Sequence, residues 1–245
     1  MYRLLVLLSF WLFTSSLLAQ SLTQRTYEGT INTKIPIILT LTQDGEALFG
    51  TVVYKKKGIP ITVVGSLTAG NLFLHELMRN GEVTGLYSLE PKGTGWTGTW
   101  SAPQRDAKDF TVALKETAKT SVPAKLLPNL TGTYYYAFGK EEGSGELKVV
   151  QASPTKITIA VSAVTGGPAY NIATLEKTTL ALKSNKAVYE NDDFGKCKLL
   201  FTFGENTVRV DYLDGAYDCG FGHNASAAGS YVRINARKPE FEEKR

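Results

Sequence analysis

The sequence predicts an all-β protein, with two small antiparallel β-barrel or sandwich domains in tandem behind a signal peptide. In both halves of the chain, apolar and polar residues alternate over short segments that are separated by turn residues. Successive side chains of a strand point to opposite faces, so this alternation indicates antiparallel sheets with one buried and one solvated face. No segment of helical length keeps an apolar stripe at helical spacing, which argues against helices.

Residues 1–19 have the features of a secretory signal peptide. Arg3 supplies a positive charge, residues 4–13 form an almost uninterrupted apolar run, and the small residue Ala19 precedes Gln20. We therefore predict cleavage near Ala19/Gln20 and a secreted or periplasmic protein. The alternative is an uncleaved membrane anchor, but the apolar run is short of the roughly 20 residues that span a bilayer. No membrane insertion is expected after cleavage.

The N-terminal antiparallel, barrel-like domain is predicted over residues 24–116. Turn signals such as Asp44-Gly45 and Ala69-Gly70-Asn71, which tolerate positive φ, separate its apolar alternations. The expected strands are residues 26–32, 36–43, 47–55, 59–67, 71–77, 82–89, 95–101 and 109–116.

The chain changes character after the eighth predicted strand. Residues 117–130 contain two prolines and no periodicity, which predicts a linker. The alternation returns in residues 131–235, the predicted C-terminal antiparallel β domain. Residues 236–245 are mostly charged and are expected to form a flexible tail.

A glycine followed by a spacer and an aromatic residue recurs in the first half. The segments are Gly50-Thr51-Val52-Val53-Tyr54, Thr84-Gly85-Leu86-Tyr87 and Gly98-Thr99-Trp100. Glycine in a strand permits the close backbone approach that a small barrel needs, with the aromatic side chains filling the space above it. These strands resemble the calycin type of barrel, the lipocalin and avidin group, over roughly residues 26–116. The resemblance implies a barrel fold and identifies no binding residue.

The two cysteines, Cys197 and Cys219, are predicted to form one disulfide. A hairpin of residues 199–203 and 207–212 would bring them close together, and two cysteines in an exported chain favour a disulfide. The alternative is a reactive or metal-binding pair, although no Cys-x-x-Cys motif is present. The segment from Cys197 through Cys219-Gly220-Phe221-Gly222 to Gly229-Ser230-Tyr231 is similar to the ends of uncharacterised exported bacterial proteins, which implies a location and no activity.

The composition argues against several classes of function. The formal net charge of +4 is spread along the chain, so we expect no nucleic-acid partner. With two histidines, no nucleophile elbow and no phosphate-binding glycine loop before a helix, we predict no metal site, no cofactor and no catalytic residue. The enzymatic alternative is a hydrolase that uses Asp218 and His223, with Ser226 as nucleophile.

Trp96 and Trp100 are the first candidate recognition surface. They lie four residues apart in a predicted strand and therefore share one face. They are interpreted either as core packing or as an aromatic wall for a sugar or an apolar ligand.

The second candidate is the glycine-rich loop that carries Tyr217, Phe221, His223 and Asn224. A disulfide at Cys219 would hold this loop in one shape, which lowers the entropy cost of binding. The competing interpretation is that Phe221 plugs the core beside the disulfide. We therefore predict a non-enzymatic binding protein for a small apolar or sugar ligand or for an extracellular protein. An inhibitor of an extracellular enzyme is one form of the second possibility.

Overall fold

The computed structural model describes residues 21–78, 82–104, 106–124, 128–137 and 143–241. The predicted signal peptide, residues 1–19, lies outside these ranges, as do parts of the predicted linker and tail. The described residues form an all-β protein of two eight-stranded antiparallel sheets, as the sequence predicts. The described ranges contain no helix of the length and hydropathy needed to cross a bilayer.

The first sheet is a closed barrel in which every strand pairs with its neighbours in the chain and β1 pairs with β8. All eight strands expected in this half are present. β1 begins five residues earlier and β8 ends seven residues later than predicted, and the other ends differ by at most three residues. They are β1 (Ser21–Ile31), β2 (Ile35–Asp44), β3 (Ala47–Tyr54), β4 (Pro60–Thr68), β5 (Asn71–Leu77), β6 (Val83–Lys92), β7 (Gly95–Ser101) and β8 (Phe110–Pro123).

The predicted start of the linker is wrong, because β8 continues through residues 117–123, which the sequence assigned to the linker. The start of β1 pairs with this extension, from Ser21 opposite Pro123 to Thr26 opposite Ala118. The extension is exposed on both faces, so its residues show no alternation of apolar and polar types.

The glycines of the first barrel allow its strands to coil closely against each other. A Cβ atom at Gly50 would lie 1.9 Å from the carbonyl oxygen of Thr40 on the neighbouring strand, and one at Gly98 would lie 2.1 Å from that of Ser88. A Cβ atom at Gly65 would make the same close approach to the carbonyl oxygen of Phe73, at 1.8 Å. Only a residue without a side chain can occupy such positions, which confirms the close backbone approach predicted from the glycine–aromatic segments.

The second sheet has the strand order β12-β11-β10-β9-β16-β15-β14-β13 and is nearly closed into a barrel. Its strands are β9 (Gly132–Ala137), β10 (Ser144–Ser153), β11 (Lys156–Val164), β12 (Ile172–Ala181), β13 (Lys186–Asn191), β14 (Cys197–Phe203), β15 (Thr207–Tyr217) and β16 (Gly229–Asn235). Large aromatic side chains fill its interior, among them Tyr134, Phe201 and Tyr231. Tyr135 points away from this core, as the alternation predicts, and packs toward the first barrel.

The two barrels contact each other through a small apolar cluster. Ala47, Val64 and Leu77 of the first barrel pack with Val232 of the second. The rings of His75 and Tyr135 lie 5.9 Å apart at the same interface. The barrels therefore bury side chains against each other.

Candidate ligand-binding sites of the two barrels

A cavity of about 250 Å³ opens at one end of the first barrel, where β1 and β7 begin and β2 and β8 end. Its walls are mainly apolar, and polar side chains ring its mouth. The residues used below are Leu41, Leu48, Leu67, Leu72 and Trp96 for the wall, with Arg25, Tyr27, Gln43 and Glu116 for the polar ring.

A charged pair spans the polar ring of this cavity. The Arg25 guanidinium Nη1 lies 2.5 Å from Oε2 of Glu116 and donates a hydrogen bond to it. This hydrogen bond raises the pKa of Arg25. The pair places a positive and a negative group side by side above an apolar wall, so the cavity offers contacts to an apolar molecule that carries a polar group.

Tyr27 and Trp96 connect the polar ring to the wall. Burial raises the pKa of Tyr27, while the hydrogen bond from the Trp96 indole and the nearby charge of Arg25 partly oppose that shift. Tyr27 therefore remains a neutral hydroxyl at physiological pH. Tyr27 and Trp96 therefore lie next to each other at the edge of the cavity.

Trp96 and Trp100 share the inner face of β7, as predicted, but they lie toward different ends of the barrel. Trp96 lines the cavity, whereas Trp100 packs toward the opposite end, with its ring 6.0 Å from that of Phe110. The two tryptophans therefore do not form one platform. Both pack against the barrel core, which agrees with the alternative interpretation of core packing.

The opposite end of the same barrel contains a buried polar cluster around Glu76. The Glu76 side chain is on the inner face of β5, and the residue is 2% exposed. The hydroxyl groups of Tyr54 and Tyr87 both donate to its Oε1 atom, at 2.7 and 2.6 Å.

Sequence reasoning missed Glu76 and Glu116, although the pattern carried a signal for both. Glu76 continues the inward phase of Leu72 and Leu74, and Glu116 continues that of Val112 and Leu114. A charged residue on the buried phase of a strand needs a partner, because an isolated buried charge is unstable. The pattern of a single strand does not reveal which side chain on another strand pairs with the carboxylate.

The disulfide between Cys197 and Cys219 is present, as predicted. Cys197 is buried in the second core, at the start of β14, and Cys219 follows the end of β15. The hairpin register that pairs Leu199 with Tyr212 brings the two cysteines together. A disulfide is compatible with an oxidising compartment such as the periplasm or the extracellular space.

The loop after Cys219 reaches across the gap between the two edge strands of the second sheet. The amide of Gly222 donates to the carbonyl of Ile172 at the start of β12. The Asn171 side chain donates to the carbonyl of His223 at 2.7 Å. On the other side, a Cβ atom at Gly220 would lie 2.4 Å from the ring of Phe194, which follows β13. The loop thus covers one end of the nearly closed barrel.

The four predicted recognition residues of this region have different environments. Phe221 is half-buried and packs against the second core, in agreement with the core-plug interpretation. Tyr217 is 64% exposed, with its ring 4.9 Å from that of Tyr212. His223 and Asn224 are exposed.

The residues of the hydrolase alternative also lie here. The hydroxyl of Ser226 hydrogen-bonds to the hydroxyl of Tyr212 at 3.2 Å and accepts from the amide of Ala228 at 3.0 Å. Asp218 and His223 are both exposed. In the part of the chain that the structure describes, no group of three or more histidine, cysteine, aspartate or glutamate side chains is placed to hold a metal ion.

The two predicted recognition surfaces lie far apart in the molecule. The cavity with Trp96 is at the end of the first barrel that carries Asp44, and Asp44 contacts Thr207 at the start of β15. Tyr217 is at the other end of that same strand.

Comparison of the chain with protein-family models, with curated proteins and with solved structures finds no match in any of the three.

Proposed function

We propose that this is an exported, non-enzymatic binding protein that takes up a small, mainly apolar molecule in the end cavity of its N-terminal barrel. The observation that supports this proposal is the cavity of about 250 Å³ with a leucine-rich wall beneath the Arg25–Glu116 pair. A closed barrel is suited to this task because its strands hold the wall residues in fixed positions before the ligand arrives.

The size of the cavity limits the class of ligand. Cavities for drug-sized molecules commonly measure roughly 300–1,000 Å³. The smaller volume here suits a single ring or a short alkyl chain. The polar group of such a molecule would lie at the mouth, where Arg25, Gln43 and Glu116 offer hydrogen bonds of both kinds.

Three small probes test this proposal and the preference for a head group. Phenol, hexanoate and hexylamine combine an apolar body with a neutral, an anionic and a cationic head. Each is titrated into the exported chain while the indole ¹H–¹⁵N resonance of Trp96 is followed by NMR. We expect a saturable shift of the Trp96 resonance with at least one probe.

A pair of variants on β4 locates the binding. Leu67→Phe fills the cavity, and we expect it to weaken probe binding at least tenfold. Ile61→Phe is the matched control, because Ile61 is a half-buried residue on the same strand that packs in the same core without lining the cavity. The absence of a saturable shift with all three probes, or equal affinity in the two variants, would contradict the proposal.

Binding of an extracellular protein is a second candidate function, supported by exposed aromatic residues near the disulfide. Phe194 is 72% exposed and Tyr217 is 64% exposed, and both lie beside the loop that Cys219 holds in place. Large exposed aromatic side chains are typical of interaction surfaces.

The test of this second candidate function is chemical cross-linking in the native secretion compartment. The Phe194→Ser/Tyr217→Ser variant should lose a cross-linked partner that Val188→Ser, an exposed control on β13, retains.

A further inference from the structure

Two exposed isoleucines lie at the end of the first barrel that is opposite the cavity. Ile35 begins β2 and is 43% exposed, and Ile59 precedes β4 and is 66% exposed. The strands of this barrel pair in chain order, so the β1–β2 and β3–β4 turns are at the same end. The amide of Lys55 donates to the carbonyl of Pro36 at 2.9 Å, which holds the two turns side by side.

The exposure of Ile59 follows from a closed, hydrogen-bonded turn. The amides of Lys57 and Gly58 both donate to the carbonyl of Tyr54, at 2.8 and 2.9 Å. Gly58 has a φ of 69°, a conformation that glycine adopts readily. Ile59 comes directly after it. An isoleucine side chain left in water by such a turn gains free energy when another apolar phase covers it.

Four exposed lysines accompany these two isoleucines. Lys34 precedes Ile35, and residues 55–57 are all lysines in the β3–β4 turn. Glu28, which pairs with Lys55 at 2.6 Å, is the one acidic residue in the turns and their adjoining strand ends, residues 28–38 and 51–62. We call residues 34–35 and 55–59 the basic rim, because they join a net positive charge to an exposed apolar tip.

Acidic residues of this barrel are concentrated elsewhere. Glu82, Asp106 and Asp109 are in or beside the β5–β6 and β7–β8 connections, where Lys108 also lies. Asp44 is at the cavity end. The positive charge is therefore confined to the half of the barrel end that also carries Ile35 and Ile59.

We propose that the basic rim docks on the surface of a lipid bilayer that contains anionic lipids. The lysines contact the anionic head groups, and the side chains of Ile35 and Ile59 enter the boundary between head groups and acyl chains. A soluble polyanion would use only the lysines, and an apolar protein surface would use only the isoleucines. A bilayer surface of this composition offers both kinds of contact in one plane.

The contact is peripheral, because two turns reach the bilayer surface and no strand crosses it. The cavity mouth is at the opposite end of the barrel and therefore faces away from the bilayer. The proposal goes beyond the binding of a small molecule and does not depend on it. Since salt screens exposed charges, the attachment should weaken as the ionic strength rises.

Vesicle flotation with the exported chain tests the proposal. One set of vesicles contains only phosphatidylcholine, and the other contains phosphatidylcholine and phosphatidylglycerol in equal parts. We expect the protein to float with the second set at low salt, to float less at high salt, and to stay in the soluble fraction with the first set.

A lysine pair tests the charged part of the basic rim. Lys56→Gln/Lys57→Gln should weaken binding to the phosphatidylglycerol vesicles roughly tenfold. The matched control is Lys183→Gln/Lys186→Gln, which removes the same charge from exposed positions around the β12–β13 turn of the second barrel. This control should bind as the wild type does.

An isoleucine pair tests the apolar part. Ile35→Ser/Ile59→Ser keeps every charge and should also weaken binding by about tenfold or more. The control is Ile172→Ser/Val188→Ser, at apolar side chains of the second barrel that are 57% and 39% exposed. All four residues are exposed, so circular dichroism of the variants should match that of the wild type.

Three results would overturn the proposal. The first is no flotation of the wild type with phosphatidylglycerol vesicles, which is decisive whether or not the variants fold. The second is a loss in the lysine variant alone, which would identify a site for soluble polyanions instead. The third is an equal loss in the control pairs, which would place the contact elsewhere. Each is independent of probe binding at Trp96.

Discussion

Thr207 at the start of β15 donates a hydrogen bond of 2.5 Å to Oδ2 of Asp44 at the end of β2. The two residues belong to different barrels and are 163 positions apart in the sequence. Gly204 allows this approach, because a Cβ atom there would lie 2.8 Å from the same carboxyl oxygen. The bond and the apolar cluster around Val64 and Val232 hold the two barrels against each other.

Removal of the Asp44 carboxylate should weaken this contact. Asp44→Ala leaves the buried hydroxyl of Thr207 without its acceptor, and we expect the free energy of unfolding to fall by about 1–2 kcal/mol. Urea denaturation measures the change. Asp106→Ala, at an exposed position between β7 and β8, should stay within about 0.5 kcal/mol of the wild type. Equal stabilities of the two variants would show that the bond contributes nothing.

Loss of the disulfide should destabilise the protein. Cys197 and Cys219 are 22 positions apart, and in the chain-entropy model a loop of this length contributes about 3 kcal/mol. Cys197→Ser/Cys219→Ser should therefore unfold at a lower urea concentration than the wild type under oxidising conditions. The difference should disappear when the wild type is reduced. A variant as stable as the oxidised wild type would rule out this contribution.

Phe221 and Tyr217 should respond differently to replacement by alanine. Phe221 packs against the second core, and we expect Phe221→Ala to lower the free energy of unfolding by about 2 kcal/mol. Tyr217 is largely exposed, so Tyr217→Ala should cost less than about 1 kcal/mol. Thermal denaturation of the two variants compares them directly. A larger loss for Tyr217→Ala would be incompatible with Phe221 as a core plug.

Gly65 should tolerate no side chain. In Gly65→Ala the new Cβ atom would meet the backbone oxygen of Phe73, and backbone cannot move aside without breaking the β4–β5 pairing. We expect this variant to accumulate as unfolded or aggregated protein. The control is Gly45→Ala in the β2–β3 turn, where a Cβ atom has open space and positive φ alone opposes it, at a cost of about 1–2 kcal/mol. Circular dichroism of both purified variants decides between these outcomes.

The stability of the protein should fall at alkaline pH. Burial raises the pKa of Tyr134 to about 12, whereas a tyrosine in the unfolded chain ionises near pH 10. Between these two values the folded state binds more protons than the unfolded state, so the free energy of unfolding decreases as the pH rises. Below pH 10 both states are protonated and Tyr134 has no effect on the pH dependence.

The expected slope from Tyr134 is about 1.4 kcal/mol per pH unit between pH 10 and about 12. Urea denaturation at successive pH values measures it, with tyrosinate absorbance as a second readout. Tyr231, Tyr87 and Tyr54 are raised in the same direction by burial and add to the loss. Tyr134→Phe should therefore show a shallower decline than the wild type. Identical slopes would show that Tyr134 does not contribute.

The alternation of apolar and polar residues was sufficient to place the strands. In the first barrel, Ile37 and Leu39 of β2 and Leu72 and Leu74 of β5 are buried, and the residues between them are more exposed. The alternation arises because one face of each strand is buried and the other is solvated. Residues 117–123 were not predicted as a strand, because neither face of β8 is buried there and the residues show no alternation. The sequence also predicted the Cys197–Cys219 disulfide, because the hairpin between the two cysteines is local.

The sequence by itself determined the all-β class, the number of strands in the first barrel and the disulfide, since each depends on side-chain periodicity or on pairing between neighbours in the chain. Only the tertiary structure decided that Trp96 and Trp100 lie toward different ends of the barrel, that Glu116 pairs with Arg25, and that Tyr54 and Tyr87 both donate to Glu76. Such contacts depend on barrel closure and on the shear between strands, which bring together residues from distant strands. The sequence pattern of one strand does not show which distant residues these will be.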